Sequence, residues 1–219
     1  DTIVGGMLIL PATPETVAAF IAEAEAAPEE LSTIANVMPA PPMPFLPADK
    51  HGQLVIFAIL VHSAGGEAGE RAVAPFRAIA TPLADMIKPM RYPEIYQPDD
   101  ENYHPTAAAR TMFVDTIDQR VAATMVDYLR NSDATMRVAQ LRVLGGAMAR
   151  VPADATAFAH RASRIMVNMA AFYNGSEEQI VRETWVSEFA AALQQNDGGA
   201  YVNFLGDEGE DRIRAAYPG

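Results

Sequence analysis

Near the C-terminus, Gly198-Gly199-Ala200-Tyr201-Val202-Asn203-Phe204 sets a phenol and a carboxamide two residues apart. The pattern predicts a short strand released by the Gly pair. On a strand the side-chain period is two, so Tyr201 and Asn203 project from one face about 7 Å apart, while Val202 and Phe204 enter a core. A phenol donates or accepts a hydrogen bond, and with its proton gone it acts as a base. The same spacing also suits a buried edge strand whose Tyr and Asn only satisfy hydrogen bonds. A second candidate is His160-Arg161, which the pattern places inside an otherwise apolar strand, Thr156 to Phe172. There each must find a partner. Either they are a salt bridge and a satisfied core histidine, or they form a pocket wall facing a polar ligand. Gln140 and Arg142, amid apolar neighbours, are open to the same two readings.

Other chemistries lack their residues. There is no G-x-x-x-x-G-K-S/T or G-x-G-x-x-G phosphate loop and no G-x-S-x-G elbow. His51, His62, His104 and His160 are far apart, so metal spacing is absent and no metal is expected. Glu29-Glu30, Asp99-Asp100-Glu101 and Glu177-Glu178 fall at turns or helix starts and read as solvated charge. Cysteine is absent, which excludes disulfides and thiol chemistry and fits a reducing, cytoplasmic compartment. Lys and Arg number 16 against 28 Asp and Glu, a net charge of -12. An acidic surface argues against nucleic acid and anionic membranes as partners. No apolar run reaches the roughly 18 residues of a membrane span.

The elements that must position these residues alternate irregularly. Strands are predicted at Ile3 to Leu10, Leu31 to Met38, Gln53 to His62 and Ala107 to Asp115. Met136 to Val151 reads as a long strand or hairpin interrupted by Gly145-Gly146. Thr13-Pro14-Glu15 is a helix start, with an N-cap hydroxyl, Pro in the first turn and an acid against the dipole. Its apolar stripe is Val17, Phe20, Ile21 and Ala24. Glu67 to Ala74 is helical, with Pro75 kinking that helix or starting the next. Thr116 with Gln119, and Ser176 with Gln179, spell capping boxes. The helices they open carry the stripes Ile117, Val121, Met125, Tyr128, Leu129 and Val181, Trp185, Phe189, Leu193. Pro39 to Pro47 reads as a stiff loop packed on the domain. Pro82 to Asp100 reads as irregular, with Tyr92, Tyr96 and Tyr103 in or just beyond it. Asp207 is placed as the cap of a last helix ending at Ala216. Strands outnumber helices and several follow one another without a crossover helix. The expected class is α+β, a mainly antiparallel sheet with helices packed on one side.

Several stretches together resemble one family. Gly198-Gly199-Ala200-Tyr201-Val202-Asn203-Phe204 is similar to the G-x-Y-x-N-Y/F strand of FAD-linked oxidases of the berberine bridge enzyme type. Leu144-Gly145-Gly146-Ala147, followed by Ala157-Phe158-Ala159-His160-Arg161, resembles the segment preceding it there. Pro82-Leu83-Ala84-Asp85 and Met90-Arg91-Tyr92 resemble the loop after the family's first helices. The resemblance is to the C-terminal half only. Nothing here is similar to the N-terminal flavin domain, and the family's R-L-x-x-x-K-x-x-Y-D-P-x-N-x-F tail has no counterpart.

The resemblance implies that residues 1–219 are a substrate-binding domain, a piece of a longer FAD-dependent flavoenzyme whose N-terminal flavin domain would be the partner. It implies Tyr201 as the base that takes a hydroxyl proton while hydride passes to the flavin, and Asn203 as a flavin-side contact. Phe204 stands where the family often has a second Tyr. Gln140, Arg142, Arg110 and His160 are the candidate contacts to a small-molecule substrate: an alcohol, a sugar or a related secondary metabolite. An ordinary phenol, with a pKa of about 10, is a poor base at neutral pH and needs a nearby cation, for which Arg161 and Arg142 are the candidates. Two other readings stay open. One is a self-contained α+β ligand-binding or interaction module without redox chemistry. The other is a cofactor-free enzyme using Tyr201 and His160 as an acid–base pair.

Overall fold

Thr13 begins the first helix through local hydrogen bonds. Its Oγ1 accepts from the Thr16 backbone N–H at 3.2 Å, and the Thr13 N–H donates back to Thr16 Oγ1 at 2.8 Å. Two hydroxyls thus close a capping box usually completed by Glu or Gln. Pro14 occupies the first turn, where a missing N–H costs nothing. The helix α1, Pro14–Ala26, buries Val17, Phe20 and Ile21 as its spacing predicts.

The computed structural model describes residues 2–96, 104–196, 199–206 and 208–217. In chain order the remaining elements are β1 (Thr2–Pro11), β2 (Leu31–Pro39), β3 (Leu54–His62), α2 (Gly66–Ala78), β4 (Ala84–Asp85), β5 (Lys88–Arg91), β6 (Thr106–Val114), α3 (Gln119–Asn131), β7 (Arg137–Val143), α4 (Gly146–Ala149), β8 (Ile165–Tyr173), α5 (Ser176–Leu193) and α6 (Glu210–Ala216). One sheet runs β4-β1-β3-β2-β7-β8-β6, with β5 also pairing β1. Every pairing is antiparallel.

Strand period two divides the sheet into two unlike faces. Across one face, Leu10, Ile56, Val37, Ala139, Met169 and Arg110 stand in one register row. The apolar members of such rows join α1, α2, α3 and α5 in the main core. Phe20 and Phe76 meet edge-on at 5.0 Å between centroids. Small residues set the layer spacing: a Cβ on Gly69 of α2 would fall 2.7 Å from the Val4 Cβ. The opposite face carries Met7, Phe57, Ile59, Ile34, Asn36, Gln140, Arg142 and Asn168, all of them half-buried. The sheet is therefore α+β in the expected sense. Among the described residues, no helix is long and apolar enough to cross a membrane.

Several local expectations need correction. His160 and Arg161 are not inside a strand; β8 begins only at Ile165, and the two residues sit in the turn-rich connection before it. A strand from Thr156 to Phe172 would be far longer than the usual 3–10 residues. β7 ends at Val143, and Gly145-Gly146 leads into the short helix α4 rather than a second strand arm. Asp118, not Thr116, caps α3, with its Oδ1 accepting from the Val121 N–H at 2.8 Å. Gly175 precedes α5 without a side-chain cap, so Ser176 and Gln179 form no capping box. In that helix Val181 is 53% exposed, whereas Arg182, Val186, Phe189, Ala190 and Leu193 are buried. Arg182 is held there by the Asp133 carboxylate. Pro75 lies inside α2, which runs on to Ala78. Pro82 onward holds β4, β5 and the turn Tyr92–Ile95. The Tyr201 stretch is not a strand either. It is an extended lead into a 3-10 turn, Val202–Phe204, closed by Phe204 N–H to the Tyr201 carbonyl at 2.9 Å. Tyr103, Gly198 and the expected helix cap Asp207 lie outside the described residues; α6 follows Gly209.

Candidate active site on the open sheet face

The face opposite α1, α2, α3 and α5 carries a rank of polar side chains from adjacent strands. Thr111, Asn168, Gln140 and Asn36 are direct cross-strand partners in turn, from β6 through β8 and β7 to β2. Their hydrogen bonds run along the row. Thr111 Oγ1 donates to Asn168 Oδ1 at 3.0 Å. Gln140 Nε2 donates to Asn36 Oδ1 at 2.9 Å, and Asn36 Nδ2 donates to the Phe57 carbonyl at 3.2 Å. Arg142, two residues along β7, donates from Nε to Gln140 Oε1 at 3.1 Å. Each amide is thereby held in one orientation by its neighbour, as a partly buried polar group requires.

Arg142 connects this row to the Tyr201 segment. Its guanidinium lies over the Phe204 ring at 5.4 Å, within cation–π range. Burial pushes the Arg142 pKa down, opposed by its proximity to the Tyr201 phenol. Phe204 and Tyr201 rings are 5.6 Å apart, and Tyr201 meets Phe158 edge-on at 5.5 Å. Asn203 Nδ2 donates to the Tyr201 hydroxyl oxygen at 2.8 Å. The phenol and carboxamide therefore meet although the strand that was to align them does not form. A donor aimed at a phenol oxygen supports negative charge there.

His160 packs at the β6 end of the same face. Its ring is 4.6 Å from that of Phe113 and 5.9 Å from that of Phe158. Gly199 crosses directly over it. Burial lowers the His160 pKa, against the backbone of Ala216, Ala215 and Ala200, and its buried Nε2 makes no hydrogen bond among the described residues. Phe158 touches both His160 and Tyr201, and no hydrogen bond joins those two. The geometry does not assemble them as an acid–base pair. Arg161 lies over Phe158 at 5.1 Å and is tied to Thr156 at 2.6 Å.

Arg110 is not brought here. Register puts it on the helix-bearing side, where it pairs with Glu208 at 3.4 Å. Arg212 of α6 shares that carboxylate at 3.1 Å and holds the Thr111 carbonyl at 2.5 Å, fastening the C-terminal segment to β6. At the far end of the open face, Ile34, Ile59, Val61, Tyr92, Ile95 and Tyr96 line an apolar groove of about 380 Å³. The sequence reading singled out Gln140 and Arg142 but passed over Asn36, Thr111 and Asn168. Their signal was the same, a lone polar residue inside an apolar strand. Among the described residues, no group of three or more His, Cys, Asp or Glu is placed to hold a metal.

No family model matches the sequence, and no curated protein matches it. Solved structures match by fold. BBE-like 1 of Physcomitrella patens aligns with a TM-score of 0.76 at 14% identity, over 99% of this chain and 48% of its own. An oxidoreductase that catalyses the terminal step of gilvocarcin biosynthesis, solved with pregilvocarcin, gives 0.75 at 12% identity, over 99% and 51%. A glycopeptide hexose oxidase solved with teicoplanin gives 0.73 at 16%, over 99% and 48%. This chain thus spans about half the length of these proteins, and its fold is that of one half of the BBE-like enzymes and related oxidases.

Proposed function

We propose that the chain is the substrate-binding portion of an FAD-dependent oxidoreductase that oxidises an alcohol, a sugar or a related secondary metabolite, and that it works beside an N-terminal flavin domain. The observation that carries this reading is the convergence of the Arg142–Gln140–Asn36 row and the Tyr201–Asn203 pair on the open sheet face, in a fold shared with half of several oxidases. The residues suit a flavin. Met7, Ile34, Phe57 and Ile59 leave half-exposed apolar surface beside hydrogen-bond donors, the complement of a planar ring that bears acceptors. No phosphate loop lies in this chain, so the rest of the cofactor would be held elsewhere.

Bound flavin supplies the hydride acceptor for a carbinol carbon. The chain's own residues do the rest. Tyr201 takes the hydroxyl proton, which lets the carbonyl form as the C–H bond breaks. Asn203 holds the phenol oxygen, and its exposed amide oxygen, without a hydrogen bond among the described residues, would serve the flavin side. Gln140 and Arg142 contact the substrate. Arg110 and His160 are placed for structural work, the first in its ion pair and the second as packing under Gly199.

The test is Tyr201→Phe in the full-length protein, which deletes the hydroxyl and keeps the ring contacts. Turnover should fall by about 10²- to 10⁴-fold, the usual worth of a positioned base, with the melting temperature little changed. Unchanged turnover removes Tyr201 from the base role.

A further inference from the structure

We infer that the substrate of this face carries a carboxylate, held by the two terminal nitrogens of Arg142. The inference rests on reading the face as a substrate site, and it adds the class of ligand.

Each amide oxygen of the polar row is already engaged once within it. Asn36 Oδ1, Gln140 Oε1 and Asn168 Oδ1 each take a hydrogen bond from a neighbour in the row. The Asn168 amide nitrogen and both Arg142 Nη atoms have no partner among the described residues. Unpaired donors are matched by an oxygen-rich ligand, and a guanidinium by an anionic one.

Most other partly buried arginines have firm partners, although Arg161, bonded among the described residues only to the Thr156 hydroxyl and the Met148 carbonyl, also lacks a carboxylate. Arg77 has Asp85 and Glu70, Arg182 has Asp133, and Arg212 has Glu208. Arg137 donates to the carbonyls of Leu129 and Ala134. Arg142 reaches a single neutral amide through Nε, and no carboxylate lies within ion-pair range among the described residues. A half-buried cation without a counter-charge is costly, and the bonding that supports it is incomplete. The Nε bond to Gln140 and the Phe204 ring fix the guanidinium plane. The free pair of Nη groups is then a preformed fork of the shape that takes a carboxylate through two parallel bonds. The chain carries a net charge of -12, so a fixed guanidinium without a carboxylate partner is a local point of attraction for an anion.

The experiment is calorimetric binding to the full-length protein. Two matched pairs of probes are used: glucuronate against glucose, and mandelate against its methyl ester. They separate an acidic sugar from an aromatic hydroxy acid as the source of the carboxylate. At least one acid should bind on the order of 10- to 100-fold tighter than its uncharged partner, the range expected for hydrogen bonds to a charged group. Arg142→Gln should abolish that preference, and Arg142→Lys, which keeps the charge without the fork, should retain only part of it. Both variants should stay folded, which a melting curve checks, since Arg142 makes one hydrogen bond and one ring contact. Equal binding of acid and neutral probes in both pairs, or a preference that survives Arg142→Gln, overturns the inference. The visible spectrum of the same sample separates the two ideas. A flavin spectrum without acid preference sinks the inference alone. Acid preference in a colourless sample supports the carboxylate site and tells against the oxidoreductase reading.

Discussion

Gly199→Ala is a demanding test of how the Tyr201 segment is seated. A Cβ at Gly199 would lie 2.6 Å from His160 Cε1, 2.8 Å from His160 Nδ1 and 2.9 Å from Phe113 Cδ2. Gly199 is not among the positive-φ glycines, so the penalty is collision and not backbone strain. Phe113 is 3% exposed on β6 and has no room to retreat. Either His160 turns away or the segment lifts, carrying Tyr201 with it two residues on. Overpacking of this kind costs about 1–3 kcal/mol. For a chain of this size that lowers the melting temperature by roughly 2–12 °C. The assay is thermal unfolding followed by circular dichroism, with Gly206→Ala as the control in the same segment, because a Cβ there meets nothing within 4 Å. His160→Ala should make room, so the double variant should be less destabilised than the sum of the two single ones. If Gly199→Ala melts with the wild type, or if His160→Ala gives no relief, the close crossing of the segment over His160 is wrong.

Three further outcomes follow from the same geometry. Between the ordinary imidazole value of 6.5 and the lowered folded value of His160, the unfolded chain binds a proton that the folded chain does not. The His160 contribution is therefore complete above pH 6.5 and is lost as the pH falls below it. Denaturant titrations should show the wild type losing stability relative to His160→Gln over that acidic window, and parallel curves would refute the assignment. Asp118→Ala should cost about 0.5–2 kcal/mol in a denaturant titration by removing the α3 cap, while Thr116→Ala costs little. Gln140→Leu strips the partner from Asn36 Oδ1 and from Arg142 Nε, and should destabilise by about 1–3 kcal/mol. It should also weaken carboxylate binding without removing it, because the Arg142 charge stays.

How far the sequence carried the fold depends on how local the signal was. β1, β2 and β3 were legible because each is one apolar run between turn residues, and α1 because its cap and stripe lie within a single helix. The Pro39 to Pro47 stretch packs Ala40 and Leu46 into a small satellite core with Ile9 and Val55, in keeping with a stiff packed loop. The failures had a different origin. His160-Arg161 was assigned to a strand because its flanks are apolar, yet those flanks serve a loop that packs Phe158 and His160 against Phe113. The Tyr201 segment alternates like a strand, but among the described residues it joins no sheet ladder and turns instead. Its phenol and carboxamide meet because the turn also brings them together. Arg110 and Arg142 looked alike in sequence, each a cation in a strand, and only the sheet register assigns them to opposite faces. The polar row was invisible for the same reason, since Asn36, Gln140, Asn168 and Thr111 come from four strands.

The proposal that this chain is part of a flavoenzyme bears directly on what the purified protein weighs and absorbs. The most direct measurement is the intact mass and visible absorption spectrum of the protein purified from its natural source. A mass well above the 23.6 kDa of this chain and the yellow spectrum of a flavin are expected. A colourless protein of 23.6 kDa would contradict it and leave the self-contained binding module in its place.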